Sequence, residues 1–171
     1  MALTRDVFKE LEEYIDSYLS KDDSICLDKE TSYLSIPDLQ EQEQEIEEAE
    51  NMEEYVKRNK KTTFRDLLMS YIDERGLVDA QVYKKAGLDR RHFSKIRSDQ
   101  NYRPSKKTVL SLCLALELDE EKTGELLGSS GYVLSDSNTF DLIIRFCLEK
   151  EIYKLYDVNL ALDHFGLEPL N

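Results

Sequence analysis

Nine cationic side chains fall within 24 residues of this chain, where only two acids, Asp89 and Asp99, accompany them. This basic segment has a net charge of +7, although the full chain of 171 residues has a net charge of -13. Such side chains neutralise phosphates, and arginine also forms paired hydrogen bonds with the edge of guanine. The composition therefore favours binding of an anionic polymer over a covalent reaction. The nine cations are Lys84, Lys85, Arg90, Arg91, Lys95, Arg97, Arg103, Lys106 and Lys107.

A helix–Gly–helix pattern runs through this segment, in VDAQVYKKAGLDRRHFSKIRSD. On the second helix, Arg90, Arg91, Ser94 and Lys95 have the i, i+1, i+4, i+5 spacing of a single face. That face fits the major groove of double-stranded DNA. The start of the next predicted helix offers hydroxyls, backbone N–H groups and cations to phosphates. The alternative is a solvated face, or one that complements an acidic partner. Further candidate DNA contacts are Lys84, Lys85, Arg97, Tyr102, Arg103, Ser105, Lys106 and Lys107.

Residues of catalytic type are sparse. His92 and His164 are the only histidines, and neither belongs to an HExxH motif. The chain contains no Walker lysine loop and no GxGxxG, and the GSSG at 128–131 lacks the context of a nucleophile elbow. Three cysteines (Cys26, Cys113 and Cys147) form no CxxC pair. The sequence thus predicts a protein without catalytic activity, cofactor or metal.

The elements that must position the basic segment are all predicted to be helical. Apolar residues recur at helical spacing over 5–19, and Thr4 can cap that helix. Thr63 with Asp66 begins the first helix of a compact part, which Gly76 ends. Helices follow over 79–86 and 90–98, the latter capped by Asp89. We expect four more, starting at Ser105, Asp119, Ser135 (helix 136–151) and Asp157 (ending at Gly166).

Charge divides the chain into two predicted regions. Residues 1–60 have a net charge of -11 and are predicted to form an acidic N-terminal arm, with the amphipathic helix 5–19 and a linker. Residues 61–171 have a net charge of -2 and are predicted to form a helical domain, with its helix–turn–helix at 79–98. Helix 5–19 needs a covering surface, from the rest of the chain, a second copy or another protein. Residues 136–166 are apolar on more than one face, which suggests a homodimer. Neither a signal peptide nor a membrane span is predicted, so the cytoplasm is the expected compartment.

Residues 62–128 resemble the lambda-repressor-like helix-turn-helix domain of the xenobiotic-response-element family, through AGLDRRHFSKIRSD and RPSKKTVLSLCLALELD. The resemblance implies a bacterial DNA-binding transcription regulator, with five core helices and a recognition helix at 89–98. The chain departs from the family at Tyr83 (usually alanine), Asp79 (usually glutamine) and Arg97-Ser98-Asp99 (usually Glu-x-Gly).

Residues 64–167 also resemble helical modules that follow macro domains in Gram-positive bacteria. This second resemblance implies a protein-interaction adaptor as the alternative function. In that case the acidic arm contacts a partner or screens the basic segment.

Overall fold

The computed structural model describes residues 5–19, 52–59, 61–100 and 102–170. These residues form nine α-helices and no strand, which confirms the all-α prediction. The predictions for Thr4, Cys26, the linker and most of the acidic N-terminal arm beyond residue 19 fall outside the described residues. The helices are α1 (Arg5–Leu19), α2 (Met52–Asn59), α3 (Phe64–Glu74), α4 (Asp79–Lys85), α5 (Arg90–Ser98), α6 (Lys106–Ala115), α7 (Glu120–Ser129), α8 (Thr139–Glu149) and α9 (Leu155–His164).

Two units make up the fold. One contains α1 and all helices from α3 onward, and the other contains α2. In α2 the side chain of Asn59 donates to the carbonyl oxygen of Tyr55 at 2.8 Å. The boundary predicted at residue 60 placed the helix over 5–19 in a separate arm, whereas α1 belongs to the same unit as α3–α9.

The predicted caps explain where the helices of the larger unit begin and end. At the start of α3, Thr63 Oγ1 accepts from the backbone N–H of Asp66 at 3.3 Å and donates to its carboxylate at 2.7 Å. The hydroxyl of Ser105 likewise accepts from Thr108 N–H at 3.2 Å and opens α6. After α3 and α4 the chain turns through Gly76 (φ +62°) and Gly87 (φ +65°), in the left-handed region that favours glycine.

The predicted start of α8 is wrong by three residues. The helix begins at Thr139 rather than 136, because Asn138, not Ser135, is its cap. The amide oxygen of Asn138 accepts from Phe140 N–H at 2.9 Å and from Asp141 N–H at 3.3 Å. The Ser135 hydroxyl instead accepts from Ser137 N–H at 3.3 Å, within the preceding turn.

The predicted start of α9 is also wrong. This helix begins at Leu155, two residues before Asp157, and its N-cap, Lys154, makes no side-chain hydrogen bond to the helix. Asp157 lies buried within the first turn. Aspartate is a common N-cap residue, but here the helix dipole favours it inside the first turn instead.

The core is centred on α6. Every residue from Thr108 to Ala115 is buried, and α4, α7 and α9 pack against this helix. A helix that is buried all round needs neighbours on every side, so α6 is the element around which the others are arranged. Burial also raises the pKa of the Cys113 thiol to about 12.

The amphipathic helix α1 packs on α8. Leu11 and Ile15 are buried, and the Tyr14 ring lies 5.3 Å from that of Phe146. The Tyr14 hydroxyl donates to Glu149 at 2.9 Å. Of the three possible covering surfaces, the rest of the chain is therefore the one observed.

Two residues that suggested an uncovered second face in the C-terminal region, Leu142 and Phe146, are buried within the chain. A third, Tyr153, is half-buried. The apolar surplus that suggested a homodimer is therefore largely accommodated inside one chain.

Candidate nucleic-acid interface

A tight turn joins α4 to α5, the two helices that the sequence predicted at 79–98. The backbone N–H of Leu88 donates to the carbonyl oxygen of Tyr83 at 2.8 Å, around Gly87. Asp89 then caps α5 by accepting from Arg91 N–H at 2.5 Å. Tyr83 is half-buried, with its ring 6.0 Å from that of Phe93. The tyrosine thus fills the space between the two helices.

Opposite sides of α5 have opposite environments. Phe93 and Ile96 are buried in the core and fix the orientation of the helix. Arg90, Arg91 and Ser94 are exposed on its outer side. Neither arginine forms an ion pair with any residue in the described ranges. Two guanidinium groups with no ion-pair partner among the described residues therefore lie at the start of a helix whose opposite side is buried.

Four of the nine predicted cations already have carboxylate partners. Lys85 pairs with Glu117 at 3.1 Å, and Arg97 pairs with Asp79. Lys107 Nζ lies 3.0 Å from Glu168 and 3.0 Å from the carbonyl oxygen of Pro169. These contacts place Lys85, Arg97 and Lys107 within the chain's own ion pairs. Lys84 and Arg103 are exposed and make no such pair within the part of the chain that is described.

The fourth paired cation, Lys106, lies at the α6–α8 junction. Its Nζ is 2.6 Å from Oδ2 of Asp141, whose side chain is only 3% exposed. The same oxygen accepts from Ser135 N–H at 2.9 Å. The Tyr132 hydroxyl donates to the carbonyl oxygen of Pro104 at 3.2 Å nearby. The start of α6, which the sequence suggested as a phosphate site, is thus occupied by contacts to the C-terminal region.

An aromatic cluster joins α5 to the loop that follows it. The Tyr102 hydroxyl lies 3.0 Å from His92 Nε2, and the two rings are nearly perpendicular at 5.9 Å. Lys95 Nζ lies 4.7 Å from the centre of the same tyrosine ring. Tyr102 therefore holds Lys95 at the edge of the exposed face by a cation–π contact. Sequence reasoning assigned His92 no role here, because its partner lies ten residues away, outside helical spacing.

Other kinds of site receive no support from the described residues. No three His, Cys, Asp or Glu side chains gather there as a metal would require. None of the described helices is long and apolar enough to cross a membrane. Comparison with family models, curated proteins and solved structures finds no match to this chain. The described residues thus form an all-α protein with an exposed cationic face on one short helix, α5.

Proposed function

We propose that this chain is a non-enzymatic, cytoplasmic DNA-binding regulatory protein that reads duplex DNA with the outer face of α5. The observation that supports the proposal most directly is the pair Arg90 and Arg91. Both are exposed at the start of a helix whose opposite side is anchored by Phe93 and Ile96, and neither is neutralised within the described residues. The helix–turn–helix resemblance of residues 62–128 supports the same function.

Each residue of the face has a distinct role in this proposal. The first residues of a recognition helix contact base edges, so Arg90 and Arg91 are the base readers, with guanine as their preferred target. Ser94 and Lys95 lie one turn further along and extend that contact. Lys84 and Arg103 bind phosphates on either side. Lys106, by contrast, stabilises the fold through Asp141.

The first test is selection of a duplex from a random pool, followed by anisotropy titrations of wild-type and Arg91→Ala chains. Loss of a bidentate base contact should weaken binding to the selected site by about 1–3 kcal/mol, and should relax the preference at one base pair. Lys154→Ala is the matched control, because Lys154 is exposed, lies at the start of α9 and has no ion pair with a described residue. The proposal is wrong if no duplex is enriched, or if both variants lose affinity equally.

A protein-interaction adaptor is the second candidate. It is favoured by the way carboxylates already pair with Lys85 and Arg97 beside the exposed face, which shows that acidic groups fit this surface. The partner would be an acidic protein, or the acidic N-terminal arm of this chain would screen the face until a partner removes it. Helix 5–19 contributes less than expected to such a contact, since Leu11 and Ile15 are buried.

Screening of the α5 face by the acidic N-terminal arm can be tested by removing the negative charges of the arm. Deleting residues 1–60 would also remove α1 from α8, so the acids within 41–50 should instead be changed to glutamine at constant length. Tighter duplex binding by the glutamine variant would support screening. Equal affinity at low salt would eliminate it.

Within residues 136–166, the exposed surface of α9 is the apolar surface that could contact a second copy of the chain. Tyr156 is 73% exposed and Leu160 is 37% exposed, one helical turn further along. A two-fold pair of chains would suit DNA half-sites spaced by one helical turn. Sedimentation equilibrium should show a dimer that Leu160→Lys dissociates, and a monomer at all concentrations would refute this part of the proposal.

A further inference from the structure

The orientation of α5 depends mainly on α4. Phe93 and Ile96 anchor α5 in the core, and among the helices α4 is its principal neighbour. In turn, α4 packs against α6, with Val82 buried and Lys85 paired with Glu117 at 3.1 Å. The angle between α4 and α5 therefore decides where the exposed face of α5 lies relative to the rest of the unit.

Contacts at three levels set this angle. Next to the turn, the backbone N–H of Leu88 donates to the carbonyl oxygen of Tyr83 at 2.8 Å. Midway along the helices, the ring of Tyr83 lies 6.0 Å from that of Phe93. Far from the turn, the guanidinium of Arg97 donates to the carboxylate of Asp79. The pair of helices is thus joined at both ends.

The ion pair of Asp79 with Arg97 joins the start of α4 to the end of α5. Asp79 lies in the first turn of α4 and Arg97 in the last turn of α5, where the helix dipoles favour an acid and a cation respectively. Both side chains line an open cleft that also borders α3. Since the cleft leaves space beside the two helix ends, we expect the ion pair to restrain them.

This ion pair is too exposed to contribute much to global stability. The side chain of Arg97 is 54% exposed and that of Asp79 is 36% exposed, and such pairs add little to the free energy of unfolding. The carboxylate of Asp79 also repels phosphate, so it cannot strengthen DNA binding by direct contact. A favourable effect of Asp79 on recognition would have to act through Arg97.

We propose that Asp79 and Arg97 are positioning residues, which hold α5 at the angle at which Arg90 and Arg91 reach base edges. The proposal rests on the proposed reading of duplex DNA by α5. Arg97, which the sequence predicted to contact DNA, fixes the helix instead. Base edges carry the sequence information and phosphates carry most of the non-specific affinity. Loss of the ion pair therefore lowers the discrimination between duplexes and leaves binding to duplex DNA in general.

Asp79→Asn is the decisive variant, because it removes an acid and raises the net charge by one. Without a positioning role, affinity for every duplex should stay the same or rise. The matched control is Glu121→Gln, which makes the same change of charge at an exposed residue of α7 that has no ion pair with a described residue. Asp79→Glu keeps the charge and should preserve the discrimination of the wild-type chain.

Anisotropy titrations with the selected duplex and a random duplex measure this discrimination as a ratio of affinities. In Asp79→Asn the affinity for the selected duplex should fall about threefold, the fold-change that matches the energy of an exposed ion pair, whereas the affinity for the random duplex should not fall. An unchanged or larger ratio in Asp79→Asn, or an equal fall in Glu121→Gln, would overturn the proposal.

A double variant separates positioning from direct contact. If Arg97 acts only through Asp79, Asp79→Asn with Arg97→Gln should reduce the ratio of affinities no further than Asp79→Asn alone. A further reduction would mean that Arg97 reads DNA itself, and would contradict the positioning role.

Residual dipolar couplings of the full chain without DNA test the same role independently of the proposed function. In Asp79→Asn the couplings of α5 should no longer fit its wild-type orientation relative to α6, whereas in Glu121→Gln they should. If no duplex is bound, the proposed function fails while this measurement still decides the role of the ion pair. An unchanged orientation of α5 in Asp79→Asn would refute it.

Discussion

Because Lys106 contacts the buried carboxylate of Asp141, we expect this lysine to stabilise the fold and not to bind phosphate. The two side chains are 2.6 Å apart; that of Asp141 is 3% exposed and that of Lys106 is 28% exposed. In Lys106→Met the carboxylate keeps the backbone N–H of Ser135 as a donor but loses its counter-charge. Breaking a buried ion pair from one side costs about 3–5 kcal/mol. Water reaches Lys106, so we expect a loss of about 2–3 kcal/mol.

Urea unfolding measures this loss, and a double variant provides its control. Removing both charges of a buried ion pair is often nearly neutral, so Lys106→Met with Asp141→Asn, which keeps an oxygen acceptor for the N–H of Ser135, should recover much of the stability. In parallel, the salt dependence of duplex binding should not change in Lys106→Met. A loss below about 1 kcal/mol, together with a salt slope that falls by about one charge, would show that the lysine contacts phosphate instead.

Three further predictions concern stability. Leu11→Asp puts an unpaired charge under α1, and hydrogen exchange should show that α8 loses protection along with α1; unchanged protection in α8 would contradict the packing. Gly87→Ala forces a side chain into a left-handed conformation (φ +65°) and should cost about 1 kcal/mol in urea unfolding, whereas no loss would mean that the turn relaxes. Burial raises the pKa of Cys113 and of Cys147 to about 12 from an ordinary 9, so the stabilisation from these thiols is complete below pH 9 and is lost as pH rises toward 12. At pH 8 a disulfide reagent should label both only as fast as the chain unfolds, and faster labelling would show that they are accessible.

Local signals in the sequence were sufficient for most helix boundaries. Thr63, Asp89 and Ser105 each cap the helix assigned to them, because a cap bonds to a backbone group two or three residues away. The start of α8 was missed because Ser135, Asp136, Ser137 and Asn138 are all good caps. Propensity alone cannot rank four neighbouring candidates.

The ion pairs of the basic segment could not be predicted in the same way. Lys106 and Asp141 are 35 residues apart, and Lys107 and Glu168 are 61 apart. Helical spacing correctly placed Arg90 and Arg91 on an exposed face, since that depends only on residues within one helix. The partners of Lys106 and Lys107 depend instead on how α8 and the C-terminal residues pack against α6.

The distinction between paired and unpaired cations leads to a quantitative expectation for DNA binding. If all nine cations of the basic segment contacted phosphate, the slope of log affinity against log salt would be about -8, at roughly -0.9 per charge. Four of them pair with carboxylates among the described residues, which leaves Lys84, Arg90, Arg91, Lys95 and Arg103 without such a partner there. At most five released counterions give a slope no steeper than about -4.5, and base contacts by the arginines reduce it further. Anisotropy titrations between low and moderate salt measure this slope directly. A value near -8 would mean that DNA displaces all four carboxylates, Asp79, Glu117, Asp141 and Glu168, from their cations, and that the contacts of α6 with the C-terminal region rearrange on binding.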